Sequence, residues 1–468
     1  MNRLFKQVRL CLCLIFSLPL LSNAQLAKHV ILISIDGMHP DMYLDSSWPA
    51  PNLRQLLKMG TYADHLLSVF PSYTYPSHTA MLTGAYPARS KINFNQPIGS
   101  KGEWFWFTNA VKVPTLWQAL KAKGMTTAAV EWPVSVTPDI TWDMPEIWDV
   151  HHPDDRITEA RKYATPGLIE EVEQNATGKL DSTNFNDNYY SLDENAGRAA
   201  AYIFKTHKPA LLAVHFACVD GFEHDQGRDG DSVRLAVASV DRAIGDIMET
   251  VQNSGLQDST TIIIVGDHGF STINQVFRPN MLLKGLPVKF IASGGSAFLY
   301  LKRDQPGEID SVPTLRGRLL IDSVTARLNT LPPAQRKLFR IIYRKELDKM
   351  GADSDAVLAL GATPGLVFSG SLAKAKASNN GPGTAIQQNA MDGLFFSFHG
   401  GHHGYDPNLP DMYTGFIAVG AGIRKNGHIR SLTEPDIAVI IAKLLDIAFK
   451  TPDGKLPEGL FEPNNTSK

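Results

Sequence analysis

Cysteine is nearly missing: the 468-residue chain has three, two of which, Cys11 and Cys13, fall in an apolar run near its N-terminus. Past that run only Cys218 remains, which excludes a disulfide framework. Charge of one sign is missing too. Lys and Arg number 45 against 47 Asp and Glu, for a net charge of −2, and no basic run breaks the balance. A chain that grips a phosphate backbone needs clustered cations, so nucleic acid is not an expected partner. There is no short-period repeat, and past residue 21 no apolar stretch is long enough to span a membrane. What is present is ordinary globular composition, 43% hydrophobic and 20% charged, in a chain long enough for a large core.

The N-terminus does not read as part of the fold. Arg3, Lys6 and Arg9 precede an apolar run over residues 10–21, and Ser22-Asn23-Ala24 offers small residues for cleavage before Gln25. That is the pattern of a secretory signal peptide over residues 1–24, and the run is short of the roughly 20 residues a membrane span needs. Neither Cys11 nor Cys13 sits at the end of a Leu-x-x-Cys box after the apolar run, so a lipoprotein is not indicated. An exported chain without disulfides suits a bacterial periplasm, and the Asn175-Ala-Thr177 acceptor carries no weight there.

Continuous apolar runs at 29–35, 210–216 and 260–265 read as buried parallel strands, and each leads to an aspartate: Asp36, Asp220 and Asp267. A helical pattern over 233–252 lies between the second and third. Alternation of this kind predicts an α/β fold with a central, largely parallel sheet flanked by helices. In such sheets sites gather at the carboxyl ends of the strands, where three distant aspartates can meet. After Phe277 the pattern loosens. Residues 312–350 read as helical, and 373–388, rich in Gly, Ala, Ser and Asn, as a loop. We divide the chain into a core over 25–284, an insertion or cap over 285–390, and the rest of the core over 391–468, with a strand at 415–419 and a helix at 436–447.

The polar clusters are Asp36, Asp220-Gly-Phe-Glu-His224, Asp267-His268 and His399-Gly-Gly-His402-His403-Gly-Tyr-Asp406. Carboxylate oxygens with imidazole nitrogens suit zinc, with manganese or iron as alternatives. Singly each has a bland reading, since Asp-Gly after a strand is usually a turn. Together they exceed what one tetrahedral ion can use, and two cations about 4 Å apart can clamp the entering and leaving oxygens of a phosphoryl displacement.

In order and content these clusters resemble the nucleotide pyrophosphatase/phosphodiesterase branch of the alkaline phosphatase superfamily. The motifs stand here as Ile35-Asp36-Gly37, Thr74-Tyr75-Pro76-Ser77-His78, Thr83-Gly84-Ala85-Tyr86-Pro87, Asp220 to His224, Asp267-His268-Gly269 and His403-Gly404-Tyr405-Asp406. The resemblance covers nearly the whole chain beyond residue 24 and implies an alkaline-phosphatase-like core. It also implies two zinc ions, one held by Asp36, Asp267, His268 and Thr74, the other by Asp220, His224 and His403. By its place in the motif Thr74 is the implied nucleophile, singled out from its hydroxyl neighbours Ser72, Tyr73 and Tyr75. Asn95, counted from Tyr86-Pro87, is the implied donor to a phosphate oxygen, although Ser90-Lys91 replaces the family's His-Gly. Tyr75, where the family has phenylalanine, offers either a stacking face for substrate or a piece of wall. Trp132-Pro133 reads as scaffold, and His78 as a structural hydrogen-bonding residue.

The implied activity is hydrolysis of phosphodiester or pyrophosphate-type bonds in a small phosphate ester or nucleotide, through a phosphothreonine. A phosphomonoesterase or phosphonoacetate hydrolase on the same core is the chemical alternative, with Lys91, Arg89 or a residue of the insertion holding the extra anionic oxygen. From a different class, a catalytically silent exported binding protein is the remaining reading, which the intact ligand set disfavours. The substrate itself is not written in the sequence.

Overall fold

The computed structural model describes residues 26–301, 315–371 and 393–462, so the expected signal peptide and the loop at 373–388 lie outside the described residues. The chain starts with β1 (His29–Ile35), β2 (Thr61–Leu67), β3 (Thr127–Val130), β4 (Trp142–Met144), β5 (Leu211–Phe216) and β6 (Thr260–Gly266). It leaves this sheet for β7 (Ser271–Phe277), β8 (Val288–Ser293), β9 (Ser296–Leu301), β10 (Phe339–Tyr343), β11 (Leu358–Ala362), β12 (Leu366–Phe368) and β13 (Phe395–His402). It returns with β14 (Phe416–Gly420) and β15 (Gly427–Thr433). The large sheet has the order β15-β2-β14-β6-β1-β5-β3-β4. All its strands run parallel except β14, which is antiparallel to both neighbours.

Parallel strands are covered on both faces, which is why β1, β5 and β6 read as unbroken apolar runs. The alternation inside β1 separates the two cores. Ile31, Ile33 and Ile35 pack with helices Pro51–Met59, Ser191–His207 and Asp231–Asn253 on one face. Val30 and Leu32 pack with helices Thr74–Thr83, Leu116–Ala122 and Glu434–Leu444 on the other. The expected α/β fold, with its largely parallel sheet between helices, is the fold observed.

Residues 312–350 differ from expectation. A helix does run from Leu315 to Asn329, but Phe339–Tyr343 is strand β10, antiparallel to β11. Pro332 and Pro333 follow that helix and break its continuation, and Phe339 and Ile342 are buried in the strand that pairs with β11. β10 closes a four-stranded sheet of order β10-β11-β9-β8, and β12-β7-β13 form a second small sheet. The latter combines strands from before, within and after 285–390. Phe298 of the four-stranded sheet meets Phe70 and Phe94 at ring-centroid distances of 5.1 and 5.6 Å, so this sheet packs against the loops next to Thr74. No helix among the described residues is long and apolar enough to cross a membrane.

Ile33 is fully buried at the centre of the sheet. Ile33→Ala should destabilise the fold by about 3 kcal/mol and Ile33→Val by about 1 kcal/mol, read from denaturation midpoints. Equal, negligible shifts would contradict the central placement of β1.

Candidate active site

The carboxyl ends of neighbouring strands deliver the polar residues to one place. Asp36 follows β1, and Asp267 and His268 follow β6. After β5 comes helix Cys218–Gln226, which carries Asp220 and His224 four residues apart on one face. Its start is held by Asp193, whose carboxylate accepts the backbone N–H groups of Ala217 (2.9 Å) and Cys218 (3.1 Å). Beyond β2 the chain reaches Thr74, the first residue of helix Thr74–Thr83. The backbone N–H groups and dipole of that helix terminus favour negative charge beside the Thr74 hydroxyl. β13 ends at His402 and hands on to His403.

Gly37 shows how tightly this is built. Its φ is 75°, its N–H donates to Asp267 Oδ1 at 3.1 Å, and a Cβ there would stand 2.2 Å from Glu223 Oε2. Only glycine fits both the backbone and the space.

His268 is at the centre. Its Nε2 lies 3.3 Å from Asp36 Oδ1, 3.3 Å from Asp267 Oδ2 and 3.4 Å from Thr74 Oγ1. Asp220 stands between two other imidazoles, 3.4 Å from His224 Nε2 and 3.6 Å from His403 Nε2. His224 Nδ1 is bonded to Gly401 O (3.1 Å) and His403 Nδ1 to Ser72 O (2.9 Å), so each ring presents Nε2 to the centre. The rings of His268 and His403 stack at 3.7 Å and join the two sets.

Three close groupings could each hold a metal ion: Asp36, Asp267 and His268; Asp220, His268 and His403; and His224, His402 and His403. The donor set fits a divalent cation. Asp36 Oδ1, Asp220 Oδ1 and Asp267 Oδ2 are buried without a hydrogen-bond partner, a costly state for carboxylates. Burial pushes all three carboxyls up; repulsion from Asp267 and Asp220 adds to it at Asp36, and from Asp220 at Asp267, while at Asp220 the neighbouring His224 pulls the other way. Burial likewise holds His268 and His403 neutral, the form in which imidazole binds metal.

The structure thus brings Thr74, Asp36, Asp220, His224, Asp267, His268 and His403 together. Asn95 joins them at a cavity of about 110 Å³ that Thr74 also lines. Its Oδ1 accepts the Tyr75 N–H at 3.0 Å, which leaves the amide N–H₂ as the donor end. Tyr75 is placed differently from a stacking platform. Its ring is fully buried against Trp104 (5.1 Å, edge-on), and Trp104 is the aromatic that lines the cavity. Burial therefore favours the wall reading at Tyr75 over the substrate-stacking one. Lys91 donates to Ser354 and Arg89 pairs with Asp453, both on exposed ground outside the cavity lining. His399 is exposed, whereas His402 is half-buried beside His224. Ser72 ties Gly404 and Tyr405 to the loop, His78 bonds to the Thr74 carbonyl at 2.7 Å, and Trp132 is fully buried against His78.

Sequence reasoning missed His215, whose Nε2 is 3.1 Å from Asp36 Oδ2. A histidine in an otherwise apolar strand, one residue before its end, was the available signal. It also missed Trp104, Glu146, Arg156 and Asp187, which line the cavity from loops that no motif marks.

An α/β sheet with a carboxylate–imidazole cluster and a buried threonine hydroxyl at its carboxyl edge defines a class of metal-dependent hydrolase folds. The family model described as type I phosphodiesterase/nucleotide pyrophosphatase matches residues 30–377, and the chain belongs to that family. It is 29% identical over 252 residues to an uncharacterized pyrophosphatase/phosphodiesterase of Schizosaccharomyces pombe, covering 52% of this chain and 44% of that one. It is 21% identical over 439 residues to venom phosphodiesterase 2 of Crotalus adamanteus, covering 89% and 45%. The chain spans no more than about half the length of these curated relatives. Murine ectonucleotide pyrophosphatase/phosphodiesterase 5, in an inactive form in complex with AMP, superposes with a TM-score of 0.64 at 18% identity, over 92% of this chain and 97% of that one. That likeness is one of fold.

Asp193→Ala should cost about 1 kcal/mol of stability through the lost helix cap and loosen Asp220 and His224. Metal content after dialysis should then fall below that of the unaltered protein; equal content would mean that the cap does not position these ligands.

Proposed function

We propose that this protein is an exported two-zinc hydrolase of phosphodiester or pyrophosphate-type bonds, with Thr74 as nucleophile. The observation that carries the reading is Thr74 Oγ1, at a helix N-terminus and 3.4 Å from His268 Nε2, beside carboxylates that each keep one buried oxygen without a hydrogen-bond partner. Asp36, Asp267, His268 and Thr74 would hold one ion, and Asp220, His224 and His403 the other. Bound there, two zinc ions would acidify the threonine hydroxyl and a water, and offset charge on the entering and leaving oxygens.

The Thr74 oxygen attacks phosphorus, the bond to the leaving oxygen breaks, and phosphorylated Thr74 keeps the remaining ester group. Water then cleaves the Thr74–phosphorus bond. The Asn95 amide donates to a non-bridging oxygen as charge grows there. A diester carries one such charge, which a neutral amide serves; a monoester dianion would call for a cation. Lys91 and Arg89 stand outside the cavity lining, which favours the diester over the monoester. A nucleotide or other small phosphate ester is the proposed substrate class, in keeping with the AMP complex of the structural relative. The divisions at 284 and 390 are likewise proposed, with the inserted sheet as a cap beside the Thr74 loop.

Purified protein should contain close to two zinc ions and lose activity to a chelator, with zinc restoring it; under one transition metal per chain with activity intact would contradict this. Thr74→Ala should lower turnover by several orders of magnitude while zinc content stays near normal, and Thr74→Ser should keep part of the activity. Near-normal turnover of Thr74→Ala would mean that another group attacks phosphorus. An aryl phosphodiester should be preferred over the matching monoester; a monoester preference that collapses on Lys91→Ala would move the protein to the alternative branch. Mass spectrometry of the exported protein should find Gln25 first, and a chain still starting at Met1 would contradict export by cleavage.

A further inference from the structure

The cavity that holds Thr74 and Asn95 has a second polar group that the proposed chemistry does not use. Arg156 lies in its lining with Asp187, Glu146 and Trp104. Its backbone is fixed by the Asp155–Asn186 bridge and by its N–H, which donates to Phe185 O at 3.2 Å. The guanidinium lies over the Trp148 ring at 3.9 Å and donates through Nη2 to Asp187 Oδ2 at 2.5 Å. Nη1 is 3.5 Å from Glu146 Oε1, an ion-pair distance, and its side chain is only 10% exposed. Arg156 Nε and Nη1 and Glu146 Oε2 are buried with no hydrogen-bond partner.

An arginine built into a wall in this way usually serves an anion, but the charge here is already matched. Asp187 and Glu146 both face the guanidinium, so a second phosphate or the extra oxygen of a monoester would meet two carboxyl groups at once. Burial pushes the Glu146 carboxyl up to about 7, which makes it a donor as well as an acceptor near neutrality. The unfilled groups are therefore mixed, N–H donors from Arg156 beside carboxyl oxygens. A hydroxyl, donor and acceptor together, complements such a pair, and Trp104 adds a flat apolar face for the C–H side of a polyol.

We infer that Arg156, Asp187, Glu146 and Trp104 form a subsite for a hydroxyl-bearing ester group on the substrate's phosphorus, such as a ribosyl, sugar or glycerol substituent. This rests on the proposed phosphodiester hydrolysis and names the substrate class within it. Selectivity for such groups then belongs to Arg156 and Asp187, while bond cleavage belongs to Thr74 and the ligand set.

Two esters with the same leaving group separate these roles: glyceryl 4-nitrophenyl phosphate and propyl 4-nitrophenyl phosphate, which differ by two hydroxyls. The unaltered, zinc-loaded protein should show kcat/KM about tenfold or more higher on the glyceryl ester, and Arg156→Met and Asp187→Asn should each bring the ratio to within about twofold of unity. The ratio does not depend on the fraction of folded enzyme, so poor folding cannot imitate this result. A ratio near unity in the unaltered protein, or a preserved ratio in both variants, would overturn the inference. So would a preference for 4-nitrophenyl phosphate that Arg156→Met abolishes, since Arg156 would then be a monoester contact. Turnover of neither ester would instead remove the hydrolase reading itself, and this subsite with it.

Discussion

Three carboxylates from the ends of different strands, Asp36, Asp220 and Asp267, converge, each with one buried oxygen that accepts no hydrogen bond. Bringing three buried carboxylates together costs several kcal/mol per ion, and the facing imidazoles of His268 and His403, held neutral by burial, supply no compensating charge. A divalent cation is the simplest answer. It would turn the largest local electrostatic cost into an attraction and fix the relative positions of β1, β5 and β6 at their carboxyl ends. Metal binding and folding would then be linked, and Thr74, within reach of His268, would draw its proposed reactivity from the same charge.

The imidazoles are oriented before any ion arrives. Backbone carbonyls of Gly401, Ser72 and Thr74 engage Nδ1 of His224, His403 and His78, so ring rotation is restricted from outside the cluster. Two of these carbonyls come from the small three-stranded sheet and from the loop that follows β2. The strands outside the large sheet are for that reason more than a cover. β13 brings His402 to the site and Gly401 to His224, and His403 follows it, while Phe298 props the Phe70 and Phe94 loops.

The parts of this arrangement that were legible in the sequence have short-range signatures. Buried parallel strands are continuous apolar runs, and a residue just after such a run must lie at the carboxyl edge, which placed Asp36 and Asp267 before any coordinates. Resemblance in motif order supplied the rest of the expected ligand set. What was not legible depends on contacts between distant segments. Phe339–Tyr343 reads as helix by composition and is a strand because β11 offers it an edge. Tyr75 reads equally as a stacking ring or as wall beside Thr74, and only the packing of distant segments shows it buried, edge-on to Trp104. Arg156 sits in an unremarkable stretch, and only the pairing of residue 155 with 186 brings it to Asp187 and the cavity.

The central claim is that the Thr74 oxygen forms a bond to phosphorus. Rapid quenching of the zinc-loaded protein with an aryl phosphodiester, followed by peptide mass spectrometry, tests it most directly. The account predicts a phosphoryl adduct, with the retained ester group still attached, on the peptide carrying Thr74 and no adduct in Thr74→Ala. Turnover of the ester with an adduct on another residue, or with none on Thr74 under conditions where cleavage of the intermediate is slow, would contradict it.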